Sequence, residues 1–248
     1  GSDLVALRTS ALRDGPDGDH YVVNGTKIWT SYANHADYCF LLVRSDPDSK
    51  RHKGISVLLM PMDTAGVEIR EIPSVVGKRY FHEVFLTDAR VAVAARLGPE
   101  HEGWDVVSYA LQYERVGSAR YARAALTLDR LAHEPASRGL LEDSNIQEKL
   151  GEARALCEAA RMLSYRVIDQ RARELPPTPD TNIARVAATM VDRLVGELAL
   201  EVFGTDSLEY GSFADSNFRM SMTAGVAVGA TEVQLNLIAS RVLKMPKE

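Results

Sequence analysis

The hydrophobic pattern changes period near residue 100, and that switch limits the possible folds more than any single motif. Up to about Leu97 the chain is made of short runs rich in Val, Ile, Leu, Tyr and Phe. Turn clusters at Asp14-Gly15-Pro16-Asp17-Gly18, Asp46-Pro47-Asp48 and Asp63-Thr64-Ala65-Gly66 separate them. Gly, Pro and Asp supply the backbone angles and local hydrogen bonds of tight turns, so these runs read as strands. From Gly103 onward apolar residues recur three and four apart, the spacing of one helix face. Helices are predicted from about Trp104 to His133, after Ser144, from about Ile183 to Phe203 with a stop at Gly204, and from about Ala230 to Leu243. The second has the stripe Ile146, Leu150, Ala153, Cys157, Ala160, Ser164 and Val167, and Gln147 three residues after Ser144 makes a capping-box signature. Strands first and helices second predict an α+β chain: an antiparallel β-barrel or sandwich domain over residues 1–99, then a four-helix bundle over residues 100–248.

Composition removes several classes of function. With 248 residues the chain can bury a substantial core, and 46% hydrophobic with 25% charged residues is ordinary for a globular protein. Net charge is −5 and no basic run appears, so nucleic acid is not an expected partner. Cys39 in a strand pattern and Cys157 in a helix pattern suit a reducing cytoplasm rather than a disulfide framework. The six histidines are scattered without ligand spacing, so no metal is expected. No apolar run is long enough to span a membrane, and no signal peptide is visible.

The segment Asn24-Gly25-Thr26-Lys27-Ile28-Trp29-Thr30-Ser31 is the most informative local motif. Asn-Gly is the strongest short hairpin signal, because both central positions of that turn need positive φ. Tyr21-Val22-Val23 before it and Ile28-Trp29 after it supply the predicted strands. An indole beside hydroxyls and strand-end amides suits a planar ring with a polar edge, such as a flavin. Alone, the segment also fits an ordinary hairpin with a core Trp.

Glu114 is the candidate base. At about 100° per residue it falls in the stripe of Trp104, Val107, Leu111, Ser118, Tyr121, Ala125 and Leu128. A carboxylate on the buried side of a helix is costly unless paired, and desolvation would raise its pKa toward the range of a working base. The same position also suits a structural Glu satisfied by an Arg of another helix. Trp104 reads as plain core packing.

Taken in order, Gly1-Ser2-Asp3-Leu4, Thr9, Lys27 to Ser31, His35-Ala36-Asp37 and the strand Tyr38 to Arg44 form a recognisable series. Gly54-Ile55-Ser56-Val57-Leu58-Leu59-Met60-Pro61, Glu83 to Val91 and Glu102-Gly103-Trp104 complete it. The series resembles the middle domain and first bundle helix of the acyl-CoA dehydrogenase family. That resemblance implies FAD as cofactor, with Trp29 against the flavin ring and Thr30 and Ser31 at its rim. It places Ser2 beside flavin or thioester, and gives Arg115 the task of ordering polar groups around the substrate. It implies an acyl-CoA substrate dehydrogenated to a trans-2-enoyl thioester. An electron-transfer-flavoprotein-type acceptor and a homo- or hetero-oligomer (dimer or tetramer) built through the bundle are implied as partners.

The family uses two positions for its base. Branched-chain and long-chain members carry it in a Leu-x-x-Glu-Arg segment of the first bundle helix, which Leu111-Gln112-Tyr113-Glu114-Arg115 matches. Most others carry it in a Tyr-Glu-Gly-Thr loop before the last helix. Here that run is Ala227-Val228-Gly229-Ala230, and the valine cannot accept a proton. Glu232 reads as a surface or capping residue, so the resemblance assigns the base to Glu114.

Departures from the pattern concern the neighbouring subunit's cofactor. Arg138-Gly139-Leu140-Leu141 lacks the Phe-Gly pair of the family's Arg-x-x-Phe-Gly segment. Glu201-Val202-Phe203-Gly204-Thr205 replaces the Gln and second Gly of its Gln-x-x-Gly-Gly segment. An acid there would repel a pyrophosphate and a β-carbon would block close approach. This asymmetry resembles actinobacterial hetero-oligomeric members, in which a partner completes the FAD site. A catalytically silent structural subunit, and an acyl-CoA oxidase or flavin monooxygenase on the same fold, are the alternatives. Family members also carry a helical domain ahead of the Gly-Ser-Asp segment. No counterpart is visible, so one wall of the site is expected to be missing; Gly1-Ser2 equally fits a cloning remnant.

Overall fold

A computed structural model describes the chain except residues 1, 2, 78, 79, 115–117, 141, 177, 227, 228, 247 and 248; the side chains of 112–114, 118, 119 and 135–138 are also outside the description. The chain divides into two compact units, residues 3–112 and residues 113–248.

The first unit is a seven-stranded sheet. Its strands are β1 (Ser10–Arg13), β2 (His20–Ser31), β3 (Tyr38–Arg44), β4 (Ile55–Pro61), β5 (Val67–Ile72), β6 (Phe81–Ala92) and β7 (Arg96–Leu97), in the order β5-β6-β2-β1-β3-β4-β7. Neighbours are antiparallel except β1 and β3, which meet in parallel at Ser10 and Arg44, so the sheet is mixed rather than purely antiparallel. Alternate residues of β2, β3, β4 and β6 form one core, with Tyr21, Val23, Leu41, Val43, Leu58, Met60, Val84 and Leu86 buried.

Asn24-Gly25 is not a hairpin turn: β2 runs straight through it. Its pairing with β6 shifts between Val23↔Ala89 and Gly25↔Leu86, leaving Asn24 opposite both Thr87 and Asp88. The Asn24 amide caps this β-bulge, donating to Asp88 Oδ1 and accepting from the Asp88 N–H, both at 2.9 Å. Gly25 has φ 144°, and a β-carbon there would lie 2.8 Å from Thr9 Cα. Asn-Gly therefore serves a bulge and a close strand approach, which demand the same small, permissive residues as a turn.

Helix α1 (Gly103–Glu114) starts against the sheet. A β-carbon on Gly103 would lie 2.8 Å from Ser56 Cα, so only glycine admits this approach. The lead-in is tied down by Glu100, which accepts from Arg13 Nη2 (2.9 Å) and from the buried Tyr21 hydroxyl (2.5 Å). His101 is held by its N–H to Ser56 Oγ, 2.9 Å.

The second unit holds α2 (Ser118–Arg138), α3 (Ser144–Ala172), α4 (Asp180–Phe203), α5 (Phe213–Met222) and α6 (Thr231–Arg241). Helix α4 is the hub and packs on each of the other four. The stretch read as one helix from Trp104 to His133 is described as α1 and α2, with 115–117 outside the description. Helix α5 is an addition to the four helices that the sequence pattern predicts. It is short, and Ser212, whose side chain accepts from the Asp215 N–H, caps it. Asp143 rather than Ser144 caps α3, accepting from Asn145 and Ile146 N–H. The α3 stripe is as the sequence implies, with Ile146, Ala153, Cys157, Ala160, Ser164 and Val167 buried. Both cysteines are free thiols.

Two buried charges set testable limits. Asp192 on α4 is 3% exposed and is paired with Arg123, with Arg120 Nη1 at 3.7 Å. Burial pushes its carboxyl up despite both arginines. Replacing Arg123 with Met should cost about 3 kcal/mol in urea unfolding, since it leaves a buried carboxylate with only the more distant Arg120. Adding Asp192→Asn should recover part of that loss. In the sheet, the Lys27 ammonium donates to the Leu42 carbonyl at 2.6 Å, and burial lowers its pKa from 10.5 to about 8. Between those two values the unfolded chain holds a proton that the folded chain lacks, so stability should rise with pH across that window. The Lys27 contribution is on the order of 1.4 kcal/mol per pH unit. Denaturant midpoints measured against pH should be flatter for Lys27→Met than for the wild type.

Candidate functional site

The site expected at Trp29, Thr30 and Ser31 sits at the end of β2, and a second irregularity in the ladder creates it. Lys27 pairs with Val84, but the next pair is Thr30 with His82, so Ile28 and Trp29 together oppose Glu83. On β2, residues 21, 23 and 27 point inward, and strict alternation would carry Trp29 inward too. The extra residue reverses that: Ile28 and Trp29 are both exposed, Trp29 at 58%. Trp29 adopts φ 62°, a left-handed conformation costly for a bulky side chain, and Tyr32 follows at φ 55°. An indole exposed by a strained bulge is an arrangement that core packing does not explain.

Aromatic rings from β6 and the loop before it flank this edge. Trp29 and Phe81 meet edge-to-face with centroids 5.9 Å apart, and Tyr32 and Tyr80 do so at 5.0 Å. The Tyr32 N–H also donates to the Tyr80 carbonyl at 2.8 Å. Desolvation and the Tyr80 hydrogen bond hold the Tyr32 phenol above its ordinary range. Trp29 stays more than half exposed despite this contact, which leaves indole surface for a planar ligand. Thr30 is half-buried and Ser31 exposed, so two hydroxyl-bearing residues follow the indole along the strand. An apolar face next to hydroxyls and strand-end amides fits the isoalloxazine part of a flavin. Among the described residues no cluster suits a metal ion.

Sequence reasoning missed His82, Tyr80, Phe81 and Tyr32. His82 is completely buried, on the inward side of β6 with Val84 and Leu86. Its Nδ1 lies 3.3 Å from the Thr30 carbonyl, and its Nε2 is buried without a partner among the described residues. A buried ring nitrogen left unpaired costs about 1–3 kcal/mol. The available signal was alternation in Phe81 to Leu86, which places a histidine among inward aliphatic residues.

The remaining site expectations fall partly outside the description. Glu114 is the last residue of α1, and its side chain is not among the described ones. Ser2, Arg115 and Val228 lie wholly outside the described residues. Glu232 stands in the first turn of α6 and is exposed. Glu201 is exposed and ion-paired with Lys149 at 2.7 and 2.8 Å, and it accepts from the Asn145 amide at 3.1 Å. No helix among the described residues is long and apolar enough to cross a membrane.

Comparison with known proteins supplies the context. Residues 101–243 match the acyl-CoA dehydrogenase C-terminal domain and residues 1–89 the acyl-CoA dehydrogenase middle domain. Acyl-CoA dehydrogenase IpdE1 of Mycobacterium tuberculosis is 35% identical over 257 residues, covering 100% of this chain and 65% of the relative. FadE29 of the same organism is 33% identical over 264 residues, covering 100% and 66%. Among solved structures, the Tcur3481-Tcur3483 steroid ACAD superimposes with a TM-score of 0.92 at 27% identity, covering 100% of this chain and 66% of that one. The ChsE4-ChsE5 complex from Mycobacterium tuberculosis does so at 0.87 and 30%, covering 100% and 67%. The chain thus spans about two thirds of the length of the curated relatives it matches. Strand-rich and helical portions each match one of a single family's domains, in that family's order: the chain belongs to the acyl-CoA dehydrogenase family.

Proposed function

We propose that this chain is the flavin-facing, base-bearing part of an acyl-CoA dehydrogenase that converts an acyl-CoA thioester to its trans-2-enoyl product with FAD as cofactor. The observation that carries the reading is Trp29, turned outward by a strained bulge and left exposed just ahead of Thr30 and Ser31 in the strand. In this reading Trp29 walls the isoalloxazine ring, and Thr30 and Ser31 offer hydrogen bonds to its edge. A flavin bound there supplies the electron sink that dehydrogenation needs. Glu114 takes the proton from the carbon next to the thioester carbonyl. Ser2 and Arg115 order the polar end of the substrate. An electron-transfer-flavoprotein-type protein is the proposed electron acceptor, and the cytoplasm the proposed location.

A related second subunit is the proposed partner, meeting this chain through the helical unit. The solved relatives described as Tcur3481-Tcur3483 and as the ChsE4-ChsE5 complex are both pairs, which supports that arrangement. Because the first of these is described as a steroid ACAD, thioesters of a steroid side chain or ring system belong in the substrate panel beside straight-chain acyl-CoAs.

A specific observation favours a second reading, a structural subunit without chemistry of its own. Glu201 and Thr205 stand where family members carry Gln and Gly, so the bundle departs from the family where it reaches a neighbour's cofactor.

Two measurements separate these readings. The chain, alone or co-expressed with a related partner, should show flavin absorption that bleaches with a suitable acyl-CoA. Glu114→Gln should keep the flavin spectrum and lower turnover by roughly 10²–10⁴, the contribution of a placed base. Unchanged turnover in the assembled complex would instead favour the structural role. Trp29→Ala should weaken flavin retention by a few-fold to about tenfold, since an aromatic contact of this kind contributes about 0.5–1.5 kcal/mol beyond its area. Equilibrium dialysis of the variant reads that loss directly.

A further inference from the structure

We infer that His82 is a positioning residue that keeps Trp29 turned out of the sheet. Three observations converge on it. His82 is the ladder partner of Thr30, the first paired residue after the bulge that exposes Trp29. Its ring is completely buried on the inward face, yet its Nδ1 reaches the Thr30 carbonyl at 3.3 Å. Its Nε2 has no partner among the described residues, so the ring is kept there at a cost that an apolar residue of similar size would not incur.

The chemistry fixes the tautomer. A carbonyl oxygen only accepts, so Nδ1 must carry the proton, and in the neutral ring Nε2 is then the bare lone pair. A proton on Nε2 would leave two mismatches, an unpaired donor in the core and two lone pairs facing each other at Thr30. The Nδ1–H bond anchors the residue just beyond the bulge to the inward side. Trp29, at φ 62°, is left as the residue that absorbs the reversal. Without that anchor the extra residue can migrate along the strand. Trp29 then returns to the inward position that alternation assigns it. The consequence for cofactor binding rests on the proposed flavin-facing role of Trp29; the consequence for the indole's exposure does not.

Three readouts on the full chain test this. In the wild type, long-range ¹H–¹⁵N correlation of the ring should show His82 as the Nδ1–H tautomer; an Nε2–H tautomer would overturn the inference. In a Trp104→Phe background Trp29 is the only indole, and acrylamide should quench it as an exposed fluorophore. His82→Leu keeps the volume and removes the donor. With far-UV circular dichroism unchanged, it should shift Trp29 emission to the blue and lower quenching toward that of a buried indole. His82→Asn, whose amide can reach the same carbonyl, should restore most of the exposure. Quenching equal in the wild type and His82→Leu would sink the positioning role. If His82→Leu does not fold, loss of quenching in His82→Gln against its retention in His82→Asn carries the same test. Flavin retention separates the two proposals. If the wild type takes up FAD, His82→Leu should lose about tenfold in affinity; shifted quenching with equal affinity would overturn the flavin-facing role of Trp29 and leave the positioning role standing. If quenching shifts as stated but neither form binds FAD, the flavin-facing reading fails and the positioning role stands.

Discussion

The period-two alternation of a β-strand is the constraint on which the site depends. A strand paired on both sides cannot change the face of one side chain without an extra residue. Strand β2 lies between β6 and β1, so its alternation is held by ladders on two edges over Tyr21 to Val23. β1 reaches only from Ser10 to Arg13, and its pairs end at Asn24. Beyond that point the ladder on β2 among the described residues is with β6 on one edge, which is where Ile28 and Trp29 bulge out. The short β1 therefore makes room for the irregularity. Lys27 occupies the gap, its ammonium reaching across to Leu42 of β3 where a ladder strand would otherwise lie.

The same geometry explains how far the sequence could be read. The period switch and turn clusters carried the two-part architecture, because they follow from local propensity and from which faces must be buried. The α3 stripe was legible residue by residue, since a regular helix has one period and no bulges. The β2–β6 ladder was not, because bulges break the only periodicity a strand has. Asn24-Gly25 carried a true signal for positive φ and small size, but a turn and a bulge ask for the same residues. Trp29 was identified through its resemblance to a family segment. By alternation alone it belongs with Tyr21 and Val23 in the core, and its exposure became visible only in the register. His82 escaped for the complementary reason. A histidine among inward aliphatics announces a polar group in need of a partner, but that partner is a main-chain carbonyl on another strand, which no side-chain pattern encodes.

The helical unit shows how differently carboxylates can be treated by one fold. Asp192 is buried in the hub helix and tolerated because Arg123 and Arg120 face it from α2. Burial still outweighs them in their effect on its carboxyl, so the pair is a compromise rather than a gain in stability. Glu201 stands on the same helix at the surface, held by Lys149 and Asn145 of α3. Its ion pair is solvent-exposed and contributes little to stability.

That ion pair changes the argument drawn from the sequence about a neighbour's cofactor. A bare carboxylate in place of the family's Gln would repel a pyrophosphate. Glu201 is not bare: Lys149 sits at 2.7 and 2.8 Å from its two oxygens, so an approaching anion meets a nearly neutral pair whose residual field water and salt screen further. What survives of the objection is steric and directional. Thr205 adds a β-carbon where the family has glycine, and with Lys149 engaged the acid has no donor hydrogen to replace those of a Gln amide. If this segment meets a neighbour's cofactor, as the resemblance implies, its departure weakens hydrogen bonding and close approach more than it adds repulsion. A partner supplying its own donors could tolerate it, whereas an identical copy of this chain would meet the same deficit on both sides of a symmetric interface.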